Sequence, residues 1–254
     1  MHMKSISASM KRVQKELLES LGAELVSVYI RPGESVEKDK YLVLLYDASV
    51  SHLRSLRPLL EKYKNLGSFQ FMGYQEMLSM LTVSSLDVVN WYFGGISLLE
   101  DDILAHYRIH LGNLCDQLEI ALHKESSQFR HEILMADTKR KETQALNRSW
   151  MRFEASILPG LYCVSGVGSD LHQLESAFSL AEEGFLCALA KDLQEKSFLA
   201  DEICLQKWEE SLLHLTYQME VFAGYLAEDE LALRNLNLTL FPAEPGLQNL
   251  RSVS

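Results

Sequence analysis

A chain of 254 residues and 28.9 kDa, 47% hydrophobic and 23% charged, has ordinary globular composition and enough apolar material for one large core or two modest ones, which excludes a disordered chain. The formal charge of −11 falls entirely in the second part: residues 1–100 carry 11 basic and 11 acidic side chains, residues 101–254 carry 13 and 24, a balance that repels polyanions and argues against non-specific nucleic-acid binding. Uninterrupted apolar runs of about six residues fall far short of the ~18 that cross a bilayer, and the opening MHMKSISASMKRV has no hydrophobic leader, so a cytoplasmic protein without a membrane partner is expected.

In chain order, Val13, Leu17, Leu18 and Leu21 alternate with Lys11, Arg12, Lys15, Glu16 and Glu19 at helical spacing, and Gly22 closes that helix. Residues 25–30 and 41–46 are apolar runs joined by a polar connection containing Pro32 and Gly33, and each reads as a short buried strand. Ser49 or Ser51 caps a helix through Leu53, Leu56, Leu59, Leu60 and Tyr63, with Pro58 kinking it or starting its main part; Asn65 and Gly67 end it. Residues 69–72 then read as a third strand, 74–81 as a small helix, and 86–92 as a final strand turned by Gly94-Gly95.

The helix followed by LVSVYI, PGESVEKDK and YLVLLY resembles the opening of the nucleotidyltransferase fold, specifically the bacterial two-domain proteins in which a minimal nucleotidyltransferase domain precedes a helical bundle. The resemblance continues through a short acidic helix after the third strand, another strand, and the acidic link Leu99-Glu100-Asp101-Asp102. It implies an α+β fold: a nucleotidyltransferase-like α/β domain over residues 1–100 and an antiparallel helical bundle with a C-terminal tail over 101–254. In active members, Gly-Ser at the end of the first strand holds the nucleotide phosphates and Asp-x-Asp at the start of the second binds magnesium, because phosphoryl transfer is catalysed by positioning and charge neutralisation.

Here the first strand ends Tyr29-Ile30-Arg31-Pro32-Gly33 and the second begins Lys38-Asp39-Lys40-Tyr41. Asp39 stands opposite the family's first aspartate, Tyr41 replaces the second, Pro32 has no N–H to offer a phosphate, and Lys38 and Lys40 repel a divalent cation. Asp47 lies roughly 26 Å along an extended chain from Asp39 and reads as a turn residue. Asp87 is the nearest match to the third carboxylate that the family carries on a late strand; locally it reads as a strand-edge or turn aspartate. The resemblance therefore implies a degenerate site without a cofactor, with Asp39 as the sole catalytic candidate and Arg31, Gly33, Lys38 and Lys40 as ligand-binding candidates. A divergent magnesium-dependent nucleotidyltransferase using Asp39 is one alternative; a structural helical-bundle interaction protein is the other.

Beyond residue 100, Glu100, Asp101 and Asp102 are placed to cap a long helix whose seam runs through Leu104, Tyr107, Leu111, Leu114, Leu118 and Ala121, then Leu122, Phe129 and Ile133. His106 and His110 fall four apart in it, a spacing able to present two imidazoles to a metal, but without H-E-x-x-H; they read as exposed histidines. DTKRKE at 137–142 reads as a solvated helix end or loop, with a local phosphate contact as its functional reading. Leu146, Trp150, Phe153 and Ile157 form the next face, kinked or stopped at Pro159-Gly160. SGVGSD at 165–170 lacks the Gly-Lys-Ser/Thr of a phosphate loop, and Ser169 or Asp170 reads as a helix cap.

Leu174, Phe178, Phe185 and Leu189 define another apolar face, with Glu182 and Glu183 opposite. Trp208, Leu212, Leu215, Met219, Phe222 and Leu226 step by four and three, a bundle seam. Past Glu230 the alternation of Leu236, Leu238 and Leu240 followed by two prolines reads as a terminal strand, a docked tail or a partner-binding segment. Cys115, Cys163, Cys187 and Cys204 form no C-x-x-C and read as small buried hydrophobes. The bundle resembles helical domains that follow minimal nucleotidyltransferase domains, some of them ribonucleases with Arg-x(4–6)-His; no arginine here has a histidine at that spacing, which leaves a module for a protein partner or homo-oligomer.

Overall fold

The computed structural model describes residues 8–31, 39–65, 67–83, 85–99, 102–167, 170–180, 184–195 and 197–240. Pro32, Gly33, Lys38, Glu100, Asp101, Ser169, Glu182, Glu183 and the tail beyond residue 240 lie outside them, as does the side chain of His106.

Helix α1 (Ala8–Leu21) buries Val13, Leu17 and Leu21 at helical spacing. Gly22, with φ +51°, adopts the left-handed conformation that ends it and begins a short 3-10 turn into β1. Strands β1 (Leu25–Arg31) and β2 (Asp39–Leu45) pair antiparallel, with Arg31 opposite Lys40 and Val28 opposite Val43. Helices cover both faces of the sheet, which is why these strands read as continuous apolar runs rather than alternating ones. Helices α2 (Val50–Ser55) and α3 (Arg57–Tyr63) break at Leu56, with Pro58 in the first turn of the second, where its missing N–H costs nothing. They cross over to β3 (Gly67–Gly73), which pairs parallel to β2. Helix α4 (Tyr74–Thr82) follows as expected.

Residues 86–92 are not a strand. They form helix α5 (Leu86–Gly94), and the fourth strand is the two-residue β4 (Ile96–Ser97), giving the mixed sheet order β3-β2-β1-β4. The valines and aromatics of LDVVNWYF favour a strand in isolation, and Val88, Val89, Asn90 and Trp91 are all buried, a run that a two-sided strand would also show. The helix satisfies the run differently: Val88 and Trp91 join the core between the sheet and α4, whereas Val89 joins the core of the helices that follow.

The long helix α6 (Leu111–Leu134) starts later than its sequence pattern suggests. Leu104–His106 is a separate 3-10 turn, so the four-residue spacing of His106 and His110 does not place them on one helix. The cause is Asp102, which accepts the Tyr29 hydroxyl at 2.9 Å and the Leu104 and Ala105 amides at 3.0 and 3.3 Å, while Leu104 is buried against the sheet. Helix α7 (Lys139–Arg152), capped by Thr138, runs into a π-helical segment, Phe153–Ile157, and then α8 (Leu158–Ser165). The wider turn precedes Pro159, whose missing N–H breaks the ordinary ladder.

The apolar face read through Leu174, Phe178, Phe185 and Leu189 is divided between two helices, α9 (Leu171–Ala177) and α10 (Phe185–Asp192). The carboxylate of buried Glu175 accepts the Gly184 and Leu186 amides, so a side chain in α9 caps α10. Helix α11 (Glu202–Leu240) carries the expected seam and stays helical through residues 231–240, in place of the expected change of pattern past Glu230. Trp208, Leu212, Leu215 and Met219 are fully buried with Leu114, Leu118, Leu122 and Phe129 of α6. A second core lies between the sheet and α1, and a third on the opposite sheet face.

Candidate functional site

Of the ligand-binding candidates, Arg31 and Lys40 lie at one end of β1 and β2. Arg31 pairs with Lys40, and Lys40 with Ser68 of β3, so the three form a row across the sheet on one face. That face meets α5. The Arg31 guanidinium carbon lies 6.0 Å from the centroid of the Trp91 ring, and a Cβ added to Gly94 would meet Arg31 Nε at 2.9 Å, so the side chain rests on the indole and on a glycine that leaves it room.

Asp39, next along β2, belongs to the opposite face because successive strand residues alternate. It shares that face with Tyr41, which is buried and stacked on Phe69 with centroids 4.7 Å apart. A Cβ on Gly67 would collide with the Asp39 carbonyl and the Tyr41 ring, so this edge admits only glycine. Asp87 is an exposed residue in the first turn of α5, not a strand carboxylate. Asp47 caps the turn into α2: the Ser49 amide and hydroxyl donate to it at 2.8 Å each, and the amide bond first of all holds its carboxyl below the usual range. Among the described residues, no group of three or more His, Cys, Asp or Glu side chains is placed to hold a metal ion.

Burial pushes the Tyr29 and Tyr41 hydroxyls up to about 12, with the negative charges of Asp102 and Asp39 reinforcing the respective shifts. The unfolded chain therefore releases these protons first. The associated stability is whole below pH 10.0, the ordinary tyrosine value, and is lost as pH rises through 12. Ultraviolet difference titration should show late-ionising tyrosines in the native protein that titrate normally once it is unfolded. A native titration without that late class, or with Tyr29→Phe and Tyr41→Phe leaving it unchanged, counts against this environment.

Elsewhere, Lys139, Arg140 and Lys141 occupy the exposed first turn of α7, Lys141 pairing with Asp137 at 2.7 Å. Asp170 caps α9 by accepting the His172 amide at 3.0 Å. Two surface clefts flank the start of α11: about 440 Å³ beside Phe185, Lys207 and His214, and about 700 Å³ beside Phe129, Leu134 and Leu205.

The sequence reading did not single out the polar network inside the helices. Trp208 Nε1 donates to Ser149 Oγ at 2.9 Å, and Ser149 donates to Glu125 at 2.7 Å. Arg152 holds both Glu125 oxygens at 2.7 and 2.8 Å and reaches Glu132 at 3.0 Å, which also pairs with Arg148 at 2.9 Å. A signal was present: Glu125 falls three residues after Leu122 and four before Phe129, inside the apolar seam where a carboxylate needs a partner.

Comparison of the chain with protein-family models, curated proteins and solved structures finds no match.

Proposed function

We propose that this chain is a non-catalytic binding protein, a nucleotidyltransferase-like α/β domain over residues 1–100 joined to an antiparallel helical bundle over 101–254, acting by holding a small ligand or a protein partner. The observation that supports this reading is the division of charge at the sheet end. Arg31 and Lys40 share one face, and Asp39 belongs to the other. Two-metal or one-metal nucleotidyl transfer needs carboxylates gathered on one edge to draw phosphates and an attacking oxygen together. Two cationic side chains on one sheet face, one of them resting on Trp91, instead suit an anionic ligand. No cofactor is required. The helical part offers the protein-binding surface, with Leu213, Tyr217 and Tyr225 of α11 exposed.

The test incubates the protein with each labelled nucleoside triphosphate, magnesium or manganese, and protein or RNA acceptors. No label transfer is expected. Titration calorimetry with inorganic phosphate and ATP should show weak binding that Arg31→Gln and Lys40→Gln each reduce. Label transfer abolished by Asp39→Ala would overturn the reading in favour of a divergent magnesium-dependent nucleotidyltransferase.

A further inference from the structure

The two edges of the sheet are treated differently. On one side β4 is only two residues long, pairing with Tyr29 and Ile30 of β1 before the Leu98 amide donates to the Val28 carbonyl at 2.8 Å, a short edge of the kind that discourages further pairing. On the other, β3 runs for seven residues, GSFQFMG, and β2 is its one strand partner among the described residues. This edge carries no charged side chain and no proline, and its register with β2 is continuous over all seven residues. Among the described residues, charge, proline and a bulge, three of the usual devices that keep an edge strand from meeting another, are missing from β3.

The strand is also close to a palindrome about Gln70: Phe69 and Phe71 flank it, and Gly67 and Gly73 close the ends. A two-fold axis makes every contact reciprocal, so a strand that reads alike in both directions and bears no charge is suited to meet its own copy. We propose that β3 is the interface of a symmetric homodimer, pairing antiparallel with β3 of a second copy of this chain about Gln70 and joining two four-stranded sheets into one of eight strands.

In that register Gln70 faces its own counterpart and Phe69 of each copy lies opposite Phe71 of the other. Both phenylalanines are only half-buried and pack on the core between the sheet and α1, on the face where Phe69 stacks on Tyr41. Pairing gives them aromatic cross-strand neighbours, and it satisfies the outward backbone groups of β3. Gln70 is exposed on the other face, so its replacement leaves the monomer's packing untouched. This inference does not depend on the ligand-binding reading above.

Size-exclusion chromatography with light scattering, over a concentration series from roughly 1 µM to 1 mM, should move from the 28.9 kDa chain mass toward twice that value. Gln70→Lys and Gln70→Glu each place like charges face to face at the two-fold and should weaken the dimer about tenfold or more, while melting as the wild type does at dilutions where both are monomeric. An equimolar mixture of the two should dimerise at close to wild-type strength, because lysine then faces glutamate. Should one variant fail to fold, the other carries the same test. Monomer mass across the whole series, or Gln70 variants that leave the dimer at wild-type strength, would overturn the proposal. So would β3 amides protected from hydrogen exchange to the same degree at every dilution, which assigns the edge to another segment of the chain itself.

Discussion

Replacing Arg152 with methionine is expected to lower the free energy of unfolding by about 3 kcal/mol, although methionine keeps most of the apolar stem. The loss comes from what remains behind. The Glu125 side chain is 6% exposed, and with Arg152 gone it keeps only the Ser149 hydroxyl as a donor. Breaking a buried pair from one side typically costs about 3–5 kcal/mol; the lower end applies because Arg152 is itself 30% exposed, so water reaches the position it vacates. Glu132 loses one of its two arginines in the same step but keeps Arg148. The double variant Glu125→Gln, Arg152→Met should recover most of the loss, since a neutral amide needs no countercharge. Urea denaturation of the single and double variants measures both effects. A single-variant change under about 0.5 kcal/mol would mean that the carboxylate is solvated in the native protein.

Trp208→Ala is expected to be at least as damaging, about 3–5 kcal/mol. Trp208 is fully buried at the meeting of α6, α7 and α11, with Phe153 edge-on at 5.2 Å and Trp150 at 5.6 Å between ring centroids. Truncation removes that packing and leaves Ser149 without the donor at 2.9 Å. Trp208→Phe, which keeps a six-membered ring in the core but loses the N–H and the rest of the indole, should cost less than alanine, about 1–3 kcal/mol. A chain in which both variants melt within a degree of the wild type would place this seam outside the core.

The parts of the fold that were legible in the sequence are those where one physical signal dominates. Trp208, Leu212, Leu215 and Met219 keep a strict four-three spacing, and all four are fully buried. Pro58 and Pro159 marked real interruptions, because a missing N–H acts locally whatever surrounds it. Phe222, in the same seam, reaches only the rim, edge-on to Phe178 at 6.0 Å. The misreadings arose where distant partners decide. Leu104 and Tyr107 fit the periodicity of α6, yet Asp102 accepting the Tyr29 hydroxyl draws that segment onto the sheet, 73 residues back along the chain. At the candidate site, Arg31, Asp39 and Lys40 could be located from the turn between two apolar runs, and the strand period assigns their faces. Trp91 beneath Arg31 could not, because the segment that carries it had been read as a strand and its helical geometry is what brings the indole there.

Helix α5 has a bearing on how this protein can change over generations. Its nine residues place Val88 in one core and the adjacent Val89 in another, while the Asn90 side chain donates to the Ser156 carbonyl in the π-helical segment at 3.1 Å. On its far side, Gly160 of α8 comes so close that an added Cβ would stand 2.7 Å from a Leu86 methyl. Turning such a helix to accommodate a larger side chain on the sheet swings the opposite side into α8, so tolerance on one side is spent on the other. The sheet and the helices that follow it therefore cannot drift independently: a substitution accepted at Val88 or Trp91 alters which substitutions are acceptable at Val89, Gly160 and Leu118.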